Sequence, residues 1–516
     1  MAEKEPLLKI VSKSSNDSIE DKIFDTHTEE LILGLCGPIG TDIHFVAERI
    51  QYILQNSYNY ECKIIRLSDL IKSQDRTQSD LDNDQLFKDK FKYYSDLIKS
   101  GNHLRENYGN SILAELAINQ IAVQRQHYID ETGDYKSQRV CYIIDSLKNK
   151  EELNLFRLIY SDLFYFIGVF SPLENRVKYL ENKNIKIDKV HELIDKDSGE
   201  EVAFGQKVTD TFQEADFFLR IDKSSSNNIE PKIKRYLELI FSCDVVTPSV
   251  HETAMYLASA AAGNSACLSR QVGAALTDEN GEVISVGWND VPKAGGSVYQ
   301  FDDKDPAVTK DFRCMNLESG ICFNDKEKRE ITDFLLKEFI EKKIIDEKNI
   351  DKAISIIKSS KIKELIEFSR SVHAEMLALI VGSQKAGRKI KNGRLYCTTY
   401  PCHNCARHII ASGIKEVYYI EPYRKSLAVK LHSDSITEDE SKDKLVRLLM
   451  FEGVSPRRYL ELFKVQPNTR KKDGKKVTYL NKEVTPKSTL SLQAIPILEK
   501  KITENLVHKQ LINISK

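Results

Sequence analysis

The sequence predicts an α/β protein of two successive units: first a mainly parallel sheet with helices on both faces, then an α/β/α sandwich. Three observations carry this. Short apolar strands alternate with amphipathic helical stretches over roughly 190 residues after Glu30, the pattern of right-handed crossover units. The run Lys223-Ser-Ser-Ser-Asn-Asn228 then has the composition of a linker. A second alternation starts near His251, and 516 residues exceed what one core usually supports.

Taken in order, residues 1–28 are polar and read as a loosely held tail, ahead of a first domain at 29–230. Its first ordered segment, Glu30–Gly40, is a short apolar strand running into a Gly-rich turn, and the helix after it turns Ile43, Val46, Ala47, Ile50, Ile53 and Leu54 to one face. Strands follow at 62–67, 139–145, 163–170 and 217–221, with helices at 89–99, 110–125, 150–160 and 173–182 between them. The polar cluster Gly101–Tyr108 reads as a solvated helix start. In the second domain, 245–465, a helix at 251–263 precedes strands at 272–276 and 283–287, joined by an Asn280-Gly281 hairpin turn. A Lys/Glu/Ile-rich helical insertion occupies about 326–366. Helix 372–381, strand 394–398, helix 402–412 and strand 417–420 complete the layer. The extension 466–516 contains an exposed basic loop, Arg470–Lys476.

Composition removes several classes of function. Hydrophobic residues at 41% and aromatics at 9% are enough for packed cores and argue against disorder. The 76 Lys+Arg and 77 Asp+Glu leave a net charge of -1, without the basic footprint of a protein that lives on duplex nucleic acid or an anionic membrane. No apolar run approaches the roughly 18–20 residues of a membrane span, and the first residues lack the layout of a secretory signal. Ten cysteines without an export signal point to reduced thiols and a cytoplasmic location.

Some of those thiols stand at ligand spacing. Ser371-Val-His373-Ala-Glu375 is followed by Tyr400-Pro401-Cys402-His-Asn-Cys405. Cys402 and Cys405 are neighbours on one helical face, and Pro401 suits the first turn of that helix. Thiols at a helix N-terminus lie where the macrodipole favours the thiolate, the zinc-binding form. Gly413 terminates the same helix. His373, Cys402 and Cys405 would supply three ligands, leaving the fourth position open as catalytic zinc sites do. Glu375, two residues past the histidine, is placed as the proton shuttle for the water that such an ion activates. A Cys-x-x-Cys alone would equally suit a redox pair or a structural zinc knuckle, and a histidine alone a core residue; the joint pattern favours catalytic zinc. Cys314 and Cys322 read as buried free thiols, with a second metal site as the alternative.

This His-x-Glu and Pro-Cys-x-x-Cys layout is the signature of zinc deaminases acting on cytosine or adenine. Residues 251–435 resemble deoxycytidylate deaminases, with Ser269-Arg270-Gln-Val-Gly273, Gly287-Trp-Asn289-Asp-Val-Pro292, His373-Ala-Glu375 and Tyr400–Cys405 in the family's order. The resemblance implies that Asn289 holds the sugar, Tyr400 lines the base pocket and Arg270 contacts phosphate, unless it forms a structural ion pair. Trp-Asn-Asp in place of the Tyr-Asn-Gly usual in monophosphate enzymes, and the insertion, depart from the pattern and put strict monophosphate specificity in doubt.

Over residues 29–465 the chain resembles the bacterial antiphage dCTP/dCMP deaminases, in which a P-loop kinase-like half precedes the deaminase; Ala428–Ile436 also fits that group. The first half carries a degenerate P-loop. Gly37, Gly40 and Thr41 sit between a strand and a helix where phosphate-binding loops belong, and Asp145 stands as a Walker B acid. No lysine occurs from Ile23 to Cys62, so phosphotransfer is not expected, and Asp42 opposes an anion. An effector-nucleotide sensor, an assembly surface and a vestigial packing partner remain as readings of this half.

The expected function is zinc-dependent deamination of free deoxycytidine nucleotides, dCTP and also dCMP, depleting the dCTP pool in antiphage defence. The expected partners are those nucleotides, an allosteric nucleotide at the kinase-like half and further copies of the chain, hexameric by analogy. Neither a membrane nor a stable nucleic-acid partner is expected. A single-stranded nucleic-acid or tRNA-type base deaminase is the first alternative, and a nucleotide-sensing protein with a structural zinc the second.

Overall fold

The computed structural model describes residues 27–74, 89–129, 135–198, 207–221, 229–304, 310–317, 320–423, 426–464, 470–477, 479–486, 492 and 494–512. The expected tail to residue 26 and the linker 223–228 lie outside them. In chain order the first half contains β1 (Leu31–Cys36), α1 (Ile43–Tyr58), β2 (Glu61–Arg66), α2 (Leu67–Gln74), α3 (Lys90–Tyr108), α4 (Ile112–Arg125), β3 (Val140–Asp145), α5 (Lys150–Tyr160), β4 (Phe164–Phe170), α6 (Leu173–Glu181), α7 (Ile187–Ser198), α8 (Val208–Phe212), β5 (Phe217–Arg220) and α9 (Ile229–Phe241). The second half follows with α10 (Val250–Ala262), β6 (Gly273–Thr277), β7 (Val283–Trp288), α11 (Phe323–Glu341), α12 (Ile350–Ser359), α13 (Ala374–Ala386), β8 (Arg394–Thr399), α14 (His403–Ala411), β9 (Glu416–Glu421), α15 (Ala428–Leu431), β10 (Ile436–Thr437), β11 (Val446–Met450), β12 (Gly453–Val454), α16 (Tyr459–Phe463), the hairpin β13 (Lys471–Lys472) and β14 (Lys475–Lys476), and α17 (Ala494–His508).

The first sheet has the order β12-β5-β4-β1-β3-β2, parallel throughout except for β12 at the edge. Alternate residues of each strand enter opposite faces, as the pleat requires. Leu31, Leu33, Ile143 and Ile167 pack with α1 and α9, while Ile32, Ile144, Phe164 and Phe166 pack with α4 and α5. Helices therefore cover both faces, as a parallel sheet needs.

The second sheet runs β10-β11-β9-β8-β6-β7, parallel from β10 to β8 and antiparallel at β6 and β7. Helices α13 and α14 cover one face through Ala374, Ala378, Ala406 and Ile409, and α10 covers the other through Met255 and Ala258. The expected insertion is a helical hairpin, α11 and α12, and the basic loop is the exposed hairpin β13–β14.

The two sheets share one core. Phe451, after β11, meets Phe218 of β5 with ring centroids 5.9 Å apart, and β12 then pairs with β5. Glu252 ties the join. It completes a capping box with Ser249, takes Arg235 of α9 at 2.7 and 2.8 Å and accepts from Val454 N at 2.8 Å. Helix α17 returns to the first half, where its Glu499 binds Arg125 at 2.9 and 3.0 Å and accepts from Tyr160 Oη at 2.8 Å.

Two local expectations are corrected. The cluster Gly101–Tyr108 is the second half of α3 rather than a helix start, and Arg105 within it is buried against Glu152 at 2.9 Å. Pro401 precedes the N-cap of α14, Cys402, instead of occupying its first turn.

Candidate functional site

Two helix starts converge on one face of the second sheet. His373 is the N-cap of α13 and Cys402 the N-cap of α14, both with extended backbone. N-cap side chains normally turn back onto the helix amides. Neither of these does, so the imidazole and the thiol are free to face each other. Cys405, one turn into α14, is fully buried beside them.

His373 Nδ1 lies 3.3 Å from Cys402 Sγ and 3.3 Å from Cys405 Sγ. Among the described residues these three form the one group of His, Cys, Asp or Glu whose ligand atoms all fall within 4.8 Å of one another. One imidazole and two thiols at that spacing fit a zinc ion, with three protein donors as catalytic sites have. The Cys405 thiol bonded to Cys402, with His373 beside it, holds Cys402 down at about 4.

Glycine and a bridge set the helix start that carries His373. A Cβ on Gly287 of β7 would stand 2.3 Å from Ala374 O and 2.5 Å from Ala378 N, so α13 lies directly on the strand. Ser285 Oγ donates to Ala378 O at 2.7 Å. Asp290 and Val372 exchange backbone hydrogen bonds of 3.2 and 2.9 Å just before the histidine. Asp290 itself, one of the departures from the family pattern, is an anchor: its carboxylate accepts from Ala266 N at 3.0 Å and faces Arg313 at 3.7 Å.

Glu375 is buried, and with His373 and Cys402 it lines a cavity of about 210 Å³. Burial, reinforced by the Cys402 charge, raises its carboxyl above the usual range, which suits a group that must hold and return a proton. Asn289, Tyr400 and Arg270 line the same cavity. The Asn289 amide is bonded within the chain, donating to Arg270 O at 2.8 Å and accepting from Val272 N at 2.7 Å. Tyr400 Oη donates to Glu438 at 2.7 Å. Arg270 forms an ion pair with Glu421, which also accepts from Thr399 Oγ1 at 3.1 Å.

The cavity also takes Asn324 and Ile366, from the start of α11 and the segment after α12. Sequence reasoning missed both, because nothing local to a helical insertion says which of its ends closes over a distant pocket. Cys314 and Cys322 are half-buried rather than buried, and Cys322 Sγ lies 3.5 Å from Ser269 Oγ. Gly37, Gly40, Thr41 and Asp145 belong to the first sheet: the glycines and Thr41 form the β1–α1 turn, and Asp145, at the end of β3, pairs with His44 Nδ1.

The donor set fits a zinc ion, and this part of the chain is similar to known zinc-binding regions. Residues 248–421 match the family of the cytidine and deoxycytidylate deaminase zinc-binding region. The chain is 26% identical over 174 residues to the deoxycytidylate deaminase of Enterobacteria phage T4, covering 34% of this chain and 79% of that protein. It is 45% identical over 56 residues to ComE operon protein 2 of Bacillus subtilis (strain 168), 11% of this chain and 29% of the relative's length. Among solved structures, a dCMP deaminase from the cyanophage S-TIM5, in complex with dCMP and dUMP, aligns at 20% identity and TM-score 0.23 over 40% of this chain and 99% of that one. Residues 248–421 are thus a cytidine/deoxycytidylate deaminase-like domain.

Proposed function

We propose that the protein deaminates free deoxycytidine nucleotides, dCTP with dCMP also accepted, to deoxyuridine nucleotides, and that in the cell this drains the dCTP pool against phage. The observation that carries the reading is the burial of Glu375 in the cavity that His373 and Cys402 line, with Cys405 grouped with those two donors. Those three residues would hold zinc, which when bound supplies a Lewis acid that activates water at neutral pH. Glu375 takes a proton from that water as its oxygen adds to C4 of cytosine and passes it to N3. It then carries the water's second proton to the C4 amino group, which leaves as ammonia as the C4 carbonyl forms. Tyr400 and Asn289 shape the wall that receives the nucleotide, and Arg270 borders its mouth, half-exposed and charged.

The choice of free nucleotide over polymer rests on the resemblance, on the similarity to the phage T4 deoxycytidylate deaminase and on the balanced charge, -1 over the chain. The same reading carries an allosteric nucleotide at the first half and a closed homo-oligomer. The test is product analysis of the purified protein given dCTP, dCMP, CTP and single-stranded DNA side by side. Deoxyuridine nucleotide from dCTP and dCMP is expected. Deaminated bases in the oligonucleotide with free nucleotides untouched would replace this reading by an editing one, and bound zinc without ammonia release from any of them would leave a structural metal.

A further inference from the structure

The β1–α1 turn lacks the lysine of a phosphate-binding loop, yet one of its amides is engaged by a carboxylate from far along the chain. Ile39 N donates to Asp197 Oδ2 at 2.7 Å, and Asp197, in the last turn of α7, comes from 158 residues further along the chain. The other oxygen of the same carboxylate accepts from Lys148 Nζ, which follows β3. A loop amide and a lysine ammonium sharing one buried anion are the two kinds of donor that a phosphate takes from such a loop. Asp197 is only 1% exposed, so the arrangement is built into the core of this half rather than formed at the surface.

Two neighbouring contacts fit the same picture. Arg176 Nε of α6 donates to Ile39 O at 2.8 Å, and a Cβ on Gly40 would stand 2.8 Å from Arg176 O, so the α6–α7 segment presses directly on the turn. Gly40 has φ +85, a conformation that leaves it to glycine. The hydroxyl of Thr41, in the same turn, is buried with no hydrogen-bond partner, a donor of the kind that costs free energy when nothing accepts from it. Asp42 is not part of the obstruction: its carboxylate caps α1 by accepting from Phe45 N at 3.4 Å.

We propose that Asp197 is a resident stand-in for a phosphate group, and that the turn Gly37–Asp42 together with Lys148 is a phosphate-binding site which the chain itself keeps closed. The lysine absent from the loop is supplied from after β3, and the anion from α7. A phosphate ester enters only when α7 withdraws its carboxylate, so binding at the turn and release of α7 are one event. That makes the first half a latch whose state an anion sets.

The test uses the full chain and two probes, inorganic phosphate and ATP, titrated calorimetrically against wild type, Asp197→Ala, Asp197→Asn and Asp197→Ala/Lys148→Ala. Asp197→Ala is expected to bind inorganic phosphate at least about tenfold more tightly than wild type, and the double variant to lose that gain. Asp197→Asn keeps the side chain's shape and one acceptor, which guards against a folding failure; it should gain less and in the same sense. A gain with ATP alone would identify a nucleotide as the source of the phosphate. Folded Asp197 variants that bind neither probe better than wild type would reduce Asp197 to a tether of α7 and overturn the proposal. A gain that survives Lys148→Ala would overturn it as well, since the anion would then be bound elsewhere.

Discussion

The side-chain amide of Asn289 is bonded to the backbone of Arg270, donating at 2.8 Å, and with its other end accepts from Val272 N at 2.7 Å. Residue 289 therefore fixes the segment that carries Arg270 to the cavity, whatever it also does for a bound sugar. Asn289→Ala removes both bonds, which are part-buried, and should cost about 1 kcal/mol for each. Thermal unfolding should show a stability loss of that size. Asn289→Asp, which keeps the acceptor only, should fall between it and wild type. Equal melting of all three proteins would refute the anchoring role.

In the proposed reaction Glu375 moves protons, and the metal is held by other residues. Glu375→Gln is expected to lower kcat by about 10²–10⁴-fold with zinc content unchanged. Elemental analysis beside steady-state rates checks both halves; a variant that keeps more than about a tenth of the rate contradicts the shuttle.

Zinc should be removable and required. Dialysis against a chelator is expected to abolish deamination, and one equivalent of zinc to restore it. Cys405→Ser and His373→Ala should each lower bound zinc well below stoichiometric, because among the described residues three protein donors surround the site. Retention of full zinc by both variants would show that the ion sits elsewhere.

Gly287 admits no side chain, since its Cβ would fall 2.3 Å from the Ala374 carbonyl. Gly287→Ala must push α13 off β7 and move His373 and Glu375 with it. Loss of zinc affinity together with activity is expected, measured by competition with a chromophoric chelator. Unchanged affinity would mean that the strand yields instead of the helix.

Arg125 joins Glu30 and Glu499 in the interior of the first half, all three at 3% exposure or less. Arg125→Met leaves two carboxylates buried without their cation, a change worth about 3–5 kcal/mol. Chemical denaturation should register it, and limited proteolysis should release α17. Replacing all three by apolar residues is expected to recover much of the loss.

Much of this architecture was legible in the chain because it is periodic. The apolar face predicted for the helix after the first strand is buried in full, from Ile43 to Leu54, and the run Val140–Asp145 is a buried central strand. What escaped was short or paired at long range. Strands β10 and β12 have two residues each, too few for any alternation to show. Arg105 looked solvated because its partner, Glu152, lies 47 residues away. The join between the halves was invisible for the same reason: Phe451 and Phe218 are far apart in the chain and close only in space.

By itself the sequence determined the donor chemistry: Cys402 and Cys405, three positions apart, are neighbours on one helical face, and Glu375 follows His373 by two positions at another helix start. Tertiary structure alone decided what those groups meet. It laid α13 on Gly287, brought two helix starts within ligand distance, folded the insertion's Asn324 over the cavity and delivered Asp197 to the turn at Ile39. Periodicity is a local property that each residue's neighbours dictate. Contacts between residues a hundred or more positions apart depend on how whole layers pack, and no local rule encodes them.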